Sequence, residues 1–184
     1  MGFVILIVGV LLWSGTHLFK RFAPARRASL GEKAKGPVAL AILASIVLMV
    51  IGFRMADHID VWYPPSFLTH LNNLLMVIAV YMMSPAPKKG RLLNGMRHPQ
   101  LGGFKVWTLG HLLVNGDLAA IILFGGLLAW AVLAMILINK AEPQWEKRPQ
   151  GTYAYDAVLF AISAVLVVVI GLIHGWLGPY PFGG

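Results

Sequence analysis

Long apolar runs separated by short polar segments dominate this sequence. With their mildly polar flanks, the runs predict helices near residues 2–19, 37–55, 66–84, 99–116, 118–139 and 153–177. A hydrocarbon core about 30 Å thick requires about 20 residues of helix, and no run alternates polar and apolar positions as a membrane β-barrel would. The pattern predicts an all-α, polytopic membrane helix bundle of about six transmembrane helices, forming a single domain over residues 1–184.

The composition supports a membrane protein and excludes some chemistry. Hydrophobic residues make up 58% of the chain and charged residues only 12%, which is unusual for a soluble domain. There is no cysteine, so disulfides, thiolate metal sites and cysteine nucleophiles are excluded. The formal net charge is +8, but the cations lie in short loops, where they favour an anionic membrane surface over nucleic acid as partner.

The positions of the lysines and arginines predict the orientation. Fourteen of the fifteen lie in the first, third and fifth loops, and only Arg54 lies on the other side. By the positive-inside rule the odd-numbered loops are cytoplasmic and both termini are periplasmic. The first run has no basic residue before it, and Lys20 and Arg21 follow it. We therefore expect a retained helix rather than a cleaved signal peptide.

Histidines are the most informative polar residues, because ionisable groups at membrane depth usually face a bundle interior or a cavity. Five of the six lie within or at the ends of predicted helices, namely His17, His70, His98, His111 and His174. His111 shares a helical stripe with Thr108 and Asn115, and small residues on the next stripe would admit another helix or a flat ring. Alternatively, His111 only hydrogen-bonds to a neighbouring helix.

The other histidines leave further alternatives open. His98 precedes the first helical residue, Pro99. The N-terminus of this helix would favour binding of an anion. Alternatively, it is only a capped helix end at the level of the lipid headgroups. His17 lies four residues after Trp13, on the same helix face. The alternative is that His17 is a histidine at the membrane interface, packed beside an aromatic anchor. An alternative cluster of His70, His111 and His174 could share one depth and bind a metal, although no short ligand spacing supports it.

Several short motifs together resemble the NnrU family over nearly the whole chain. They are Gly15-Thr16-His17, Leu74-Leu75-Met76 after His70, His98-Pro99, the stretch HLLVNGD from His111 to Asp117, Phe124-Gly125-Gly126 with Trp130, and His174. The Asn115-Gly116-Asp117 part is by itself most simply a turn that places Asp117 near a helix N-cap. The resemblance implies a multi-pass protein of the bacterial cytoplasmic (inner) membrane that acts in denitrification, the metabolism of nitrite and nitric oxide.

The NnrU family is similar to the zeta-carotene isomerases, membrane enzymes that use heme b to isomerise a polyene. Their motif RHPQxxGxxxWxxxH occurs here from Arg97 to His111. This similarity implies heme b as cofactor, with His17 and His111 as iron ligands and catalytic residues. The implied cofactor-binding set is His17, His111, Arg97, His98, Lys105, Trp107, Thr108 and Asn115. Thr108 stands where the isomerases have a cysteine, so a ligand switch through thiolate is not available here.

Physical chemistry permits a heme in such a site. Two neutral imidazoles are suitable iron ligands and favour electron transfer or a structural role. Cations near the cytoplasmic ends of the two helices could receive the propionates. His111 lies about 9 Å along its helix from Lys105, and His17 about 4.5 Å from Lys20, so the two depths differ and require a tilted helix.

Two further hypotheses remain at this stage. RHPxxxG at the start of a membrane helix also resembles the isoprenylcysteine carboxyl methyltransferases, which bind S-adenosylmethionine. Their second segment is faintly echoed by Glu142, Glu146, Gly151, Tyr153 and Tyr155. That match covers about half the chain and leaves the last helix unexplained. The other hypothesis is a scaffold or transporter without a cofactor.

Overall fold

A computed structural model describes residues 1–182 of the chain. The helical elements among these residues are, in order, α1 (Gly2–Phe22), α2 (Pro24–Leu30), a 3-10 turn (Gly31–Ala34), α3 (Lys35–Met55), α4 (Leu68–Met83), α5 (Ala86–Lys89), α6 (Pro99–Val114), α7 (Leu118–Ala120), a π-helical turn (Ile121–Gly125), α8 (Gly126–Ala141) and α9 (Tyr153–Leu177). Within residues 1–182 there is no strand, and an isolated β-bridge pairs Asp60 with Asp117.

The all-α class is confirmed, and a helix occupies each of the six predicted positions. Four segments are long and apolar enough to cross a membrane, namely Gly2–Phe22, Pro24–Met55, Leu118–Ala141 and Tyr153–Leu177. Helices α4 and α6 have only 16 residues each. Membrane crossing by these two helices, and the periplasmic position of both termini, stay predictions. The short helices α2 and α5 were not predicted, because each lies in a polar loop and carries proline in its first turn.

The chain divides into two compact units, each built from two segments. Unit 1 contains Met1–Tyr63 and Gly116–Pro143, and unit 2 contains Pro64–Asn115 and the described part of Gln144–Gly184. Whether the two units behave as the single domain that we expected stays a prediction.

In unit 1, glycines bring α1 and α3 into close contact. A Cβ at Gly9 would lie 2.8 Å from the backbone nitrogen of Met49, and one at Gly52 would lie 2.7 Å from Cα of Leu6. The Leu6 side chain is fully buried. Small residues allow such close backbone approach between apolar helices, where van der Waals packing is the main attraction.

In unit 2, the glycine-rich side of α6 is filled by a helix. A Cβ at Gly103 would lie 2.7 Å from the backbone oxygen of Ala79, and one at Gly110 would lie 2.7 Å from Oδ1 of Asn72. Both contacts are with α4. The sequence left open whether this stripe of small residues admits another helix or a flat ring, and the structure shows that α4 occupies it.

We expect Gly103→Ala to destabilise the protein by about 1–3 kcal/mol, because the added methyl group would overlap a backbone oxygen that cannot move aside. Thermal unfolding in detergent, followed by circular dichroism, measures the change. The matched control is Gly125→Ala, since a Cβ at Gly125 meets no atom within 4 Å. Equal midpoints for the two variants would contradict close α4–α6 packing at Gly103.

Candidate functional site

In unit 1, His17 is enclosed by two tryptophans. Its ring lies 4.0 Å, centroid to centroid, from the ring of Trp13, which precedes it by one helical turn. The ring of Trp130 on α8 meets His17 edge-on at 5.0 Å. The Nδ1 atom of His17 lies 2.9 Å from the backbone oxygen of Trp13. The imidazole is therefore held both by a hydrogen bond and by aromatic packing.

In unit 2, His111 has the same local arrangement. Its Nδ1 atom lies 3.1 Å from the backbone oxygen of Trp107, again one helical turn earlier. The rings of these two residues are 4.9 Å apart, and the Trp107 ring packs in turn on Phe104 at 5.2 Å. Both units thus contain a helix in which a tryptophan, four residues before a histidine, supplies the carbonyl group and an aromatic contact.

These hydrogen bonds define the tautomer of each neutral imidazole. A carbonyl oxygen can only accept, so Nδ1 of His17 and Nδ1 of His111 must carry the proton. The lone pair then lies on Nε2, which is the usual ligating atom of a metal-binding histidine. Metal-ligating histidines generally donate their other N–H to a carbonyl or carboxylate group, which fixes the ring orientation. In its neutral form, each imidazole therefore has its lone pair on Nε2.

Trp130 is a residue of the His17 environment that the sequence did not identify as part of a site. It lies on α8, more than a hundred residues from His17 in the chain, and it also contacts the ring of Trp13 at 5.4 Å. The π-helical turn Ile121–Gly125 precedes it. A π-turn contains one residue more than an α-turn, which rotates the following helix by about 100°. This rotation helps to set the face on which Trp130 lies, and hydrophobic periodicity does not reveal it.

The remaining residues of the implied cofactor set have varied surroundings in unit 2. Thr108 is fully buried, and its hydroxyl donates to the backbone oxygen of Lys105 at 2.9 Å. The Asn115 amide donates to the backbone oxygen of His111 at 2.8 Å. The Asn115 side chain therefore stabilises the last turn of α6. Arg97, His98, Lys105 and Trp107 are partly exposed.

Two predictions for helix ends are confirmed. Helix α6 begins at Pro99 with His98 as N-cap residue, although the His98 side chain makes no capping bond. Asp117 caps α7, because its Oδ1 atom accepts from the backbone nitrogen of Ala120 at 2.9 Å. The role of Asp117 as a helix cap therefore suffices to explain why an acid occurs at this position.

The alternative cluster gains no support. Over residues 1–182, the structure holds no group of three or more His, Asp or Glu side chains that could bind a metal ion. His70 and His174 are both exposed, and Nδ1 of His174 lies 2.8 Å from the backbone oxygen of Pro179. This finding does not bear on a heme, whose iron needs only one or two protein ligands.

The residues that echo the methyltransferases make structural contacts instead. Glu142 in unit 1 forms an ion pair with Arg21 at 2.8 Å. In unit 2, the ring of Tyr153 lies 5.0 Å from the Arg91 guanidinium, and a Cβ at Gly151 would overlap the backbone of Lys89. No observation favours an S-adenosylmethionine site.

Asp156 is a second residue that the sequence analysis missed. It is 96% buried, although it lies in the first turn of α9. Its Oδ1 atom accepts from the hydroxyl of Tyr81 at 2.5 Å, and its Oδ2 atom accepts from the backbone nitrogens of Arg91 and Leu92 at 2.7 and 3.1 Å. A buried carboxylate with three donors is fully satisfied. It joins α4, α9 and the loop after α5.

The comparisons with known proteins agree with the sequence motifs. Residues 5–181 match the family described as NnrU protein. Neither a curated protein nor a solved structure matches the chain. Because the family match covers nearly the whole chain, and because four helices are long and apolar enough to cross a membrane, we conclude that this membrane protein belongs to the NnrU family.

Proposed function

We propose that the protein is a membrane hemoprotein and that His17 and His111 are the residues that would hold heme b. The single observation that carries the proposal is the identical preparation of the two imidazoles. In each case the backbone oxygen of a tryptophan four residues earlier accepts from Nδ1. This leaves the lone pair on Nε2, so that both residues fit the requirements of iron ligands.

The tryptophans orient the two histidine rings. Trp130 is 92% buried and contacts the His17 ring, while Trp107 packs on His111. Packing of this kind fixes the orientation of each imidazole ring. When bound, a heme with two imidazole ligands supplies one-electron redox chemistry. Arg97 and Lys105 are two partly exposed cations of unit 2 that could receive propionates.

We propose that this redox chemistry acts in nitrogen-oxide metabolism at the bacterial inner membrane. The proposal rests on the association of the NnrU family with denitrification. Redox-linked cis–trans isomerisation of a polyene is the alternative output, by similarity to the zeta-carotene isomerases. Thr108 limits that alternative, because its buried hydroxyl cannot replace a thiolate as an iron ligand.

The absorption spectrum of protein purified in mild detergent tests the proposal. We expect a Soret band and, after reduction with dithionite, the sharp bands of a low-spin heme b with two nitrogen ligands. Membranes from the same cells without the expressed protein give the background. If the purified protein lacks heme although the cells were supplied with ample heme precursor, the proposal is wrong.

A further inference from the structure

Unit 1 contains an apolar groove that the proposed heme ligands do not use. Its volume is about 530 Å³, and it lies between the C-terminal half of α1 and the start of α3. Leu11, Gly15 and Phe19 line it from α1, and Val38 and Ala41 line it from α3. Its volume falls within the range of about 300–1,000 Å³ that is typical of small-molecule sites.

One end of the groove carries a positive charge. Lys33, in the 3-10 turn Gly31–Ala34, is the one charged residue among those that line the groove. The neighbouring acid, Glu32, forms an ion pair with Lys35. Within residues 1–182, Lys33 has no carboxylate partner. Its exposed ammonium group is therefore available to an anion at the end of the groove.

The surrounding chain strengthens this charge. Besides Lys33, residues 20–36 contain Lys20, Arg21, Arg26, Arg27 and Lys35, of which Arg21 and Lys35 are ion-paired with acids. The helices that border the groove belong to segments long and apolar enough to cross a membrane, Gly2–Phe22 and Pro24–Met55. Lipid is thus the molecule at highest concentration around the groove, and a cluster of cations beside a membrane helix attracts anionic headgroups.

We propose that this groove binds an anionic glycerophospholipid, with one acyl chain between α1 and α3 and the phosphate group paired with Lys33. The shape and the charge point to the same occupant. The apolar walls suit a hydrocarbon chain, and the single unpaired cation at one end suits a phosphate. A zwitterionic lipid fills the apolar part equally well, but its own cation offsets the attraction to Lys33.

Gly15 provides a way to block the groove without disturbing the fold. It lines the groove, and a Cβ at this position meets no atom within 4 Å. We therefore expect Gly15→Leu to fold and to place its side chain where the acyl chain lies. Gly125→Leu is the matched control, because Gly125 also has helical backbone angles and open space, and it does not line the groove.

Native mass spectrometry of the full chain in detergent tests the proposal. The probes are phosphatidylglycerol and phosphatidylcholine with identical acyl chains. We expect wild-type protein to bind phosphatidylglycerol at least tenfold more tightly than phosphatidylcholine. Gly15→Leu should weaken the binding of both lipids at least tenfold, whereas Gly125→Leu should not change it. Lys33→Gln should remove the headgroup preference, whereas Lys88→Gln, an equal change of charge in unit 2, should preserve it.

Each other outcome overturns the proposal. If wild-type protein binds the two lipids equally, Lys33 does not select the headgroup. The same conclusion follows if Lys33→Gln still prefers phosphatidylglycerol. Unchanged lipid binding in Gly15→Leu means that the groove is not the site. Should that variant fail to fold, Gly15→Phe and Gly15→Met repeat the test with side chains of other shapes, and unchanged binding in both has the same meaning. If a neutral polyene displaces phosphatidylglycerol, and if its own binding is unchanged in Lys33→Gln, the occupant of the groove is not an anionic lipid.

Discussion

Replacing His111 with alanine is expected to change the spectrum of the proposed heme from the low-spin to the high-spin form. Without the His111 imidazole the protein would hold the heme through one residue fewer, so carbon monoxide should bind. His17→Ala is expected to give the same change. The double variant His17→Ala/His111→Ala should be purified with less than about a tenth of the wild-type heme, since neither ligand remains.

Absorption spectra with and without carbon monoxide measure these changes, and two further variants serve as controls. His70→Ala and His174→Ala remove exposed histidines of the alternative cluster and should leave the wild-type spectrum intact. Free imidazole should restore the low-spin spectrum of each single variant, because it replaces the deleted side chain without repairing any other defect. A wild-type spectrum in His111→Ala, or its loss in His174→Ala, would show that the ligands are assigned to the wrong residues.

Asp156→Ala is expected to lower the free energy of unfolding by about 3–5 kcal/mol, because it leaves one buried and two partly buried donors without an acceptor. These donors are the hydroxyl of Tyr81 and the backbone N–H groups of Arg91 and Leu92. Asp156→Asn retains the shape and one carbonyl oxygen, and should cost about 1–2 kcal/mol. Chemical unfolding in detergent micelles measures both values.

Limited proteolysis provides a local measurement of the same effect. The loop after α5 is held by Asp156, so trypsin should cleave near Lys88, Lys89 and Arg91 much faster in Asp156→Ala than in wild-type protein. Asp57→Ala removes an exposed acid in unit 1 and should change neither the stability nor the cleavage rate. If Asp156→Ala and Asp57→Ala behave alike, Asp156 does not hold the loop.

Local sequence properties were sufficient to predict the helices of this protein. Apolar runs and the breakers between them placed all six, with ends within a few residues of those observed, because helix formation depends mainly on nearby residues and on the length of the apolar run. The same holds for the spacing of Trp13 with His17 and of Trp107 with His111. Four residues in a helix bring two side chains onto one face, whatever the rest of the fold.

Contacts between distant parts of the chain were decided only by the tertiary structure. Tyr81 and Asp156 are 75 residues apart, and an acid near the start of an apolar helix looks in the sequence like an ordinary solvated residue of the first turn. Trp130 and His17 are likewise far apart in the sequence, and a π-turn that no sequence pattern predicted precedes Trp130 in the chain. The sequence by itself determined the family, the helices and the spacing of histidine and tryptophan. Packing determined which glycines face a helix and which face a groove, because the same residue type serves both surroundings and only its neighbours distinguish them.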